Sequence, residues 1–366
     1  MKKWIALLLV LVLALSLCAC GTDDNGKQGD APKSCKVTAP KLTQVVMTEK
    51  STDGEDRTMK ATLEYDEDHN VVASKTFRED QLYYEATYDK DMNKPLVELT
   101  YDDNGQIIDR TENTYDENGN CVERINTYNY DDTTVTVKQI STFDANGNVL
   151  TEKIYEDGDL SYEYRYTYTA DGKREREAYI NKDGDEESYT EYTYDRQGNI
   201  LSVKVDGMLS GSYETYENTY EAGKLVEVKV YEDGALYLLR RYDSDGNETL
   251  CSYYDNDTGE EWSRSEYTYE NGKLVKEVDY VDGEVNYTAV YTYNADGKPA
   301  EVGYTYASGK VRRSTYSYNE AGDLTGMNQY EDGGLKGEYT VTYEIVTVSE
   351  ETAEKLRQII RTLDLG

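Results

Sequence analysis

The feature that most constrains this chain is a turn that recurs about every 25 residues. It reads YDENGNC from Tyr115 to Cys121, FDANGNV from Phe143 to Val149, YDRQGNI from Tyr194 to Ile200 and YDSDGNE from Tyr242 to Glu248. Looser copies begin at Tyr168, Tyr293 and Tyr318. Gly119, Gly147, Gly172, Gly198, Gly223, Gly246, Gly272, Gly297 and Gly322 mark the beat, and His69 and Met92 hold its first two positions. A second turn falls between these, at Gly54, Gly105, Gly158, Gly184, Gly207, Gly234, Gly259, Gly283, Gly309 and Gly333, clearest in Tyr155–Leu160 and Tyr231–Leu236. Each repeat is then two hairpins, and the chain reverses about every twelve residues.

Turn chemistry predicts the register. Asp157-Gly158 and Asn271-Gly272 suit the positive φ angles of a two-residue type I′ turn, placing Tyr155 opposite Leu160 and Tyr269 opposite Leu274. The longer turn, closed by a left-handed glycine bulge, pairs Tyr194 with Ile200, Phe143 with Val149 and Tyr318 with Leu324. Alternation then predicts the faces. Leu160, Tyr162, Tyr164, Tyr166 and Tyr168 fall on one side, and Ser161, Glu163, Arg165 and Thr167 on the other. Val285, Tyr287, Ala289, Tyr291 and Tyr293 repeat the arrangement, as do Leu335, Tyr339, Val341 and Tyr343. One face is expected to be a tyrosine lattice, the other mainly charged and threonine-rich.

Composition agrees with an all-β chain. Tyrosine supplies 38 of the aromatic residues against two Phe and two Trp, apolar residues are 37%, and only four prolines interrupt the strands. One repeat cannot order itself alone, so neighbours must share the tyrosine face. About 24 strands at roughly 4.8 Å would extend beyond about 100 Å, whereas open twisted sheets seldom exceed about ten strands. The expectation is a long antiparallel meander of about 24 short strands, coiled or partly rolled with its tyrosines inward, and a short C-terminal helix. For that helix Ser349 is the N-cap, Glu350 and Glu351 suit the first turn, and Ala353, Leu356, Ile360 and Leu363 form a stripe. It is expected to cover the last strands and blunt an exposed edge.

The N-terminus predicts a location. Met1, Lys2 and Lys3 precede an apolar run, Trp4 to Leu17, that is short for a bilayer span and reads as a signal peptide. Leu17-Cys18-Ala19-Cys20-Gly21 resembles the bacterial lipobox, with Cys20 as the lipidated residue. That resemblance implies an extracytoplasmic protein held to the bacterial cell membrane, on the cell surface, through Cys20. The competing reading is an ordinary secretory signal cut after Ala19. The predicted organisation is signal peptide 1–19, lipidated cysteine and tether 20–36, repeats 37–348 and helix 349–366. Cys35, Cys121 and Cys251 then remain, an odd number at wide spacing that forms neither a disulfide framework nor a CxxC metal site.

The Y-D-x-x-G-N units, from about residue 60 to 345, resemble the YD repeat of the RHS family of bacterial surface and toxin-delivery proteins and the related teneurins. The resemblance implies β-hairpins winding in a spiral and, in large members, a hollow shell around a toxin. This chain is too short for such a shell and carries a short helix where a toxin domain would follow.

Chemistry is sparse. A formal charge of −34 repels a nucleic-acid backbone, so no nucleic-acid partner is expected. The single histidine, His69, sits at a turn position, and no GxSxG, HExxH or phosphate-loop motif is present. Neither an enzyme nor a cofactor is expected; a hydrolase using paired carboxylates is the third-ranked alternative. Asp255 to Glu260 and Asn181 to Asp185 resemble calcium loops without the full spacing, and turn chemistry explains them; weak calcium binding is the minor reading. Tyr162, Tyr164, Tyr166, Tyr192, Tyr267, Tyr291 and Tyr316 are either the core of a thin fold or rings opening on a groove that stacks on sugar or peptide. The function expected is a monomeric, non-catalytic binding or adhesion module for glycan, peptide or protein, with a ligand-free structural spacer as the alternative.

Overall fold

The computed structural model describes residues 36–51, 55–89, 94–130, 133–207 and 212–361. The readings at Cys18, Cys20, Cys35, Gly54, Met92 and Leu363 lie outside them. Among the described residues are 24 strands, β1 to β24 in chain order, and one helix, α1 (Glu350–Arg361). The strands form one antiparallel sheet. Its first strand, β1 (Lys36–Glu49), pairs on one side with β2 (Arg57–Tyr65) and on the other with the last, β24 (Gly334–Ser349). The hydrogen-bond ladder therefore returns to its start, where the family resemblance implied a continuing spiral. Closure is the limiting case of the predicted rolling, and it removes the exposed strand edges at the two ends of the meander.

The YDxxGN turn follows from its side chains. In the copy at Asp195 the Gly198 N–H donates to the Asp195 carbonyl at 3.1 Å and the Asp195 N–H to the Asn199 carbonyl at 2.8 Å. The Asp195 carboxylate accepts the N–H groups of Gln197 and Asn199 at 2.9 and 2.8 Å. In the copy at Asp116, Asn120 closes the loop by donating its amide to the Asp116 carboxylate at 2.9 Å. Asp thus organises the turn, Gly supplies φ of +90° at position 198, and Asn locks the exit. His69, with φ 65°, occupies the glycine position of the Asp66 copy, as its place in the repeat predicted.

Both predicted registers are observed. Tyr194 lies opposite Ile200 and Phe143 opposite Val149 across the long turn. Tyr155 lies opposite Leu160 and Tyr269 opposite Leu274 across the short one. What alternation missed is the bulge beside the turn. In β9 (Val149–Glu156) and β10 (Asp159–Tyr168), Tyr155 faces Leu160 but Ile154 faces Tyr162, so Ser161 is an extra residue and alternation slips by one. Leu160 therefore lies on the face opposite Tyr162, Tyr164, Tyr166 and Tyr168. The same slip, at Asn286, separates Val285 from Tyr287, Ala289, Tyr291 and Tyr293.

The molecule contains two compact units: Met1–Thr136 with Thr315–Gln329 and Leu335–Gly366, and Val137–Ser314 with Tyr330–Gly334. In the first, Leu42, Val45 and Met47 of β1 pack with Met327, Tyr339 and Val341. Helix α1 lays Ala353 and Leu356, both fully buried, on Ala39 and Val348. Ser349 caps it, its hydroxyl accepting the Thr352 N–H at 3.1 Å. Ile359 joins Ile360 in packing on the core, an addition to the expected stripe. Because β24 is paired with β1, the helix has no edge to blunt; it adds a second layer over a paired seam.

Candidate functional site

Six of the seven predicted tyrosines, Tyr162, Tyr164, Tyr166, Tyr192, Tyr267 and Tyr291, belong to the second unit; Tyr316 belongs to the first, packed on the core around Met327. The register places the six on a common face of the sheet. In β9, β10 and β11 (Arg174–Asn181), Tyr164 faces Tyr179 and Tyr166 faces Glu177. The Tyr162 and Tyr164 ring centroids are 5.6 Å apart, edge to face, and both lie within 5.7 Å of Tyr179. Such tilted pairs are the favoured aromatic geometry.

This face is not the purely aromatic surface that alternation implied. Glu152 lies opposite Tyr164, and its carboxylate accepts the Tyr166 hydroxyl at 2.6 Å and the Gln139 amide at 2.6 Å. Burial and this bond push the Tyr166 phenol well above its ordinary range. Arg174 lies 4.6 Å over the Tyr166 ring while pairing with Glu177 at 2.8 Å. Glu277 accepts two phenols, Tyr287 at 2.6 Å and Tyr291 at 3.0 Å. Conversely, the face expected to be charged buries Ala178 and Ile180. It also neutralises its charges in pairs such as Arg165–Glu163 at 2.9 Å and Arg241–Glu227 at 2.9 Å.

A further set of tyrosines has a structural duty. Tyr168 donates its hydroxyl to the Val149 carbonyl at 2.8 Å, Tyr293 to that of Leu274 at 2.7 Å, and Tyr65 to that of Leu42 at 2.6 Å. The tyrosine of each such turn thus satisfies a carbonyl on the preceding strand and ties the strands together where the ladder ends. Lys273 adds a second tie, lying 4.9 Å over the Tyr293 ring and donating to the Gly297 carbonyl at 2.6 Å.

Around Tyr216 the tyrosine face is hollowed into a groove of about 450 Å³ lined by Tyr216, Tyr237, Tyr242, Leu238, Glu214 and Arg240. None of the seven predicted residues lines it. The Tyr216 hydroxyl donates to Glu214 at 2.7 Å, and the Arg240 guanidinium stands 3.7 Å from Glu248. Sequence periodicity gave no means of choosing these rings from the other tyrosines. The signal was Asn218 and Leu238, smaller side chains at the register positions that Tyr267 and Tyr287 hold 49 residues further along the chain.

The loops resembling calcium sites use their oxygens internally. Asp255 accepts the N–H groups of Asp257 and Thr258 at 3.1 and 2.8 Å, and Asn181 those of Asp183 and Asp185 at 3.0 Å each. Cys121 and Cys251 are free thiols, and burial raises both above the ordinary thiol range.

No family model and no curated protein matches the chain. Among solved structures it is similar to the Photorhabdus luminescens Tc holotoxin pore, at TM-score 0.36 and 12% identity over 83% of this chain and 19% of that one. It is also similar to TcdB2-TccC3 without its hypervariable C-terminal region, at TM-score 0.29 and 14% identity over 84% of this chain and 21% of that one. A porin-like protein from Bacteroides uniformis matches at TM-score 0.24 and 12% identity, over 83% of this chain and 96% of that one. The chain spans about a fifth of the length of each of the first two. At these TM-scores the likeness bears on neither ligand nor activity.

Proposed function

We propose that the protein is a non-catalytic binding or adhesion module for glycan, peptide or protein, displayed on the bacterial surface by a lipid on Cys20. The observation carrying this reading is the groove beside Tyr216, where aromatic rings, a carboxylate and a guanidinium converge on one face of a sheet. Rings would supply stacking area, and Glu214 and Arg240 would fix orientation. Arrays of glycans and of surface proteins probed with the full chain test it: Tyr216→Ala and Tyr242→Ala should each abolish the hits. Hits unchanged in both variants would dismiss the groove.

Anchoring has its own test. Cys20→Ser should release the protein from the membrane fraction and abolish incorporation of labelled lipid; retention and labelling in that variant would refute the assignment. A structural spacer remains the second reading, favoured by the number of phenols already committed to Glu152, Glu277 and strand carbonyls. It predicts an empty array.

A further inference from the structure

Two stretches of the second unit, 125 residues apart, have the same register. The strands β9, β10 and β11 correspond to β19 (Lys273–Val281), β20 (Glu284–Tyr293) and β21 (Pro299–Tyr306). Tyr164 faces Glu152 and Tyr179 in the first, as Ala289 faces Glu277 and Tyr304 in the second. The hydrogen bonds correspond as well. Tyr166 donates to Glu152 and Tyr291 to Glu277, while Tyr168 and Tyr293 reach the carbonyls of Val149 and Leu274.

The cation over the ring is missing from the second copy. Arg174, opposite Tyr168, lies over the Tyr166 ring; its counterpart opposite Tyr293 is Pro299, which brings no charge. Asp279 stands where the first has Ile154, and Val302 where it has Glu177, so each copy brings two carboxylates to these positions and only the first brings a guanidinium over the ring bonded to one of them; Arg312, 5.7 Å over the Tyr306 ring, is paired with Glu331 at 3.1 Å. Asp279 is held by Ser265 at 3.1 Å and Asn286 at 2.7 Å, both neutral, and Lys273 is committed to Tyr293 and Gly297. The Tyr287, Tyr304 and Tyr306 rings pack within 6.4 Å of one another beside these carboxylates, and all three are half-buried.

We infer that the β19–β21 face takes an arginine side chain of a basic partner peptide over Tyr291, in the position that Arg174 fills from within over Tyr166. The inference rests on this sheet face being a binding surface and names the chemistry it selects. Charge complementarity and the internal copy both specify the occupant: a planar cation above a ring whose hydroxyl is bonded to a carboxylate.

Calorimetric titration of the full chain with a tri-arginine peptide tests this. Binding is expected at one peptide per chain, weakening with salt. Pro299→Arg, which supplies the missing guanidinium in cis, should weaken it about tenfold, a loss of about 1.4 kcal/mol. Thr305→Arg adds the same charge on the opposite face of β21 and should leave affinity within about twofold, since a screened surface charge contributes little. Arg174→Ala should open a second position and raise the stoichiometry to two. Absence of binding at low salt, equal weakening by the two arginine variants, or a stoichiometry of one in Arg174→Ala would each overturn the inference. Its failure leaves the Tyr216 and Tyr242 array test standing, whereas a chain that takes neither peptide nor any array ligand loses both readings.

Discussion

The two units stabilise the same kind of sheet differently. In the first, Leu42, Val45 and Met47 are 3–4% exposed beneath neighbouring side chains, and α1 gives part of the sheet a second apolar layer. In the second, the rings of Tyr162, Tyr164 and Tyr179 are half-buried and touch one another, and the acids among them are bonded to phenols. A sheet face can thus be covered by a helix or by amphipathic rings whose hydroxyls are satisfied in place. The first way excludes water and leaves little to bind; the second leaves faces and carboxylates within reach of a ligand.

The contrast breaks most readily at the helix. Leu356 is 1% exposed against Ala39 and Val348, so Leu356→Ala should cost about 2–5 kcal/mol, measured by denaturant unfolding. A loss below about 1 kcal/mol would mean that the helix is an ornament and that strand pairing alone holds the seam.

Phenol-to-phenylalanine substitutions sharpen the comparison, because they should act with opposite sign. Tyr166→Phe removes a hydrogen bond to the Glu152 carboxylate and should destabilise by about 1.5–3 kcal/mol. Among the described residues the buried Tyr339 hydroxyl has no hydrogen-bond partner, so Tyr339→Phe should stabilise by about 1 kcal/mol. If both variants destabilise equally, the distinction between a packed core and a bonded lattice is lost.

The turns, the hairpin registers and the predominance of tyrosine on one face were legible because each depends on neighbours in sequence. Asp195, Gly198 and Asn199 act within five residues of one another. The bulges at Ser161 and Asn286 were not legible: a slip of one residue leaves no mark in the alternation of Leu160 with Tyr162, and only the pairing with Ile154 reveals it. For the same reason Glu152 and Glu277 could not be assigned to the tyrosine face, since their position depends on strands across the bulge. Closure of the sheet depends on β1 meeting β24 about 300 residues away, which no local period encodes. The groove around Tyr216 depends on the side-chain volume missing at Asn218 and Leu238, and only the strand register brings those two positions to one place on the face.

Within the second unit, Gly184 and Gly198 offer a finer test. Both hold positive φ, +91° and +90°, so alanine at either should cost about 1–2 kcal/mol in backbone strain. Space is free beside Gly184, but the Lys173 ammonium, which also lies 5.3 Å over the Tyr194 ring, occupies the place of a Cβ at Gly198. Gly198→Ala should therefore cost about 0.5–1 kcal/mol more than Gly184→Ala, through loss of that cation–π contact. Equal costs would show that the lysine swings aside freely and that the ties between successive turns add no stability.

The last contrast is in pH dependence, confined to the two ends of the scale and opposite at each. The exposed turn carboxylates Asp116, Asp144 and Asp243 are held below their usual range by the side chains of Asn120, Asn148 and Asn247. With folded pKa values depressed, what they contribute is present above the unfolded value and is lost as pH falls through the folded one. Tyr339 works the other way. Burial pushes its phenol up to about 12 from 10.0, so the folded chain keeps a proton that the unfolded chain releases. Its contribution is complete below pH 10.0 and declines as pH rises towards about 12. Following the unfolding midpoint from pH 9 upward should show a steady fall that Tyr339→Phe makes shallower by about one proton's worth of slope, or about 1.4 kcal/mol per pH unit. An identical fall in the variant would place the alkaline sensitivity elsewhere, among the phenols bonded to Glu152 and Glu277, and would make the tyrosine lattice rather than the core the first part of the sheet to yield.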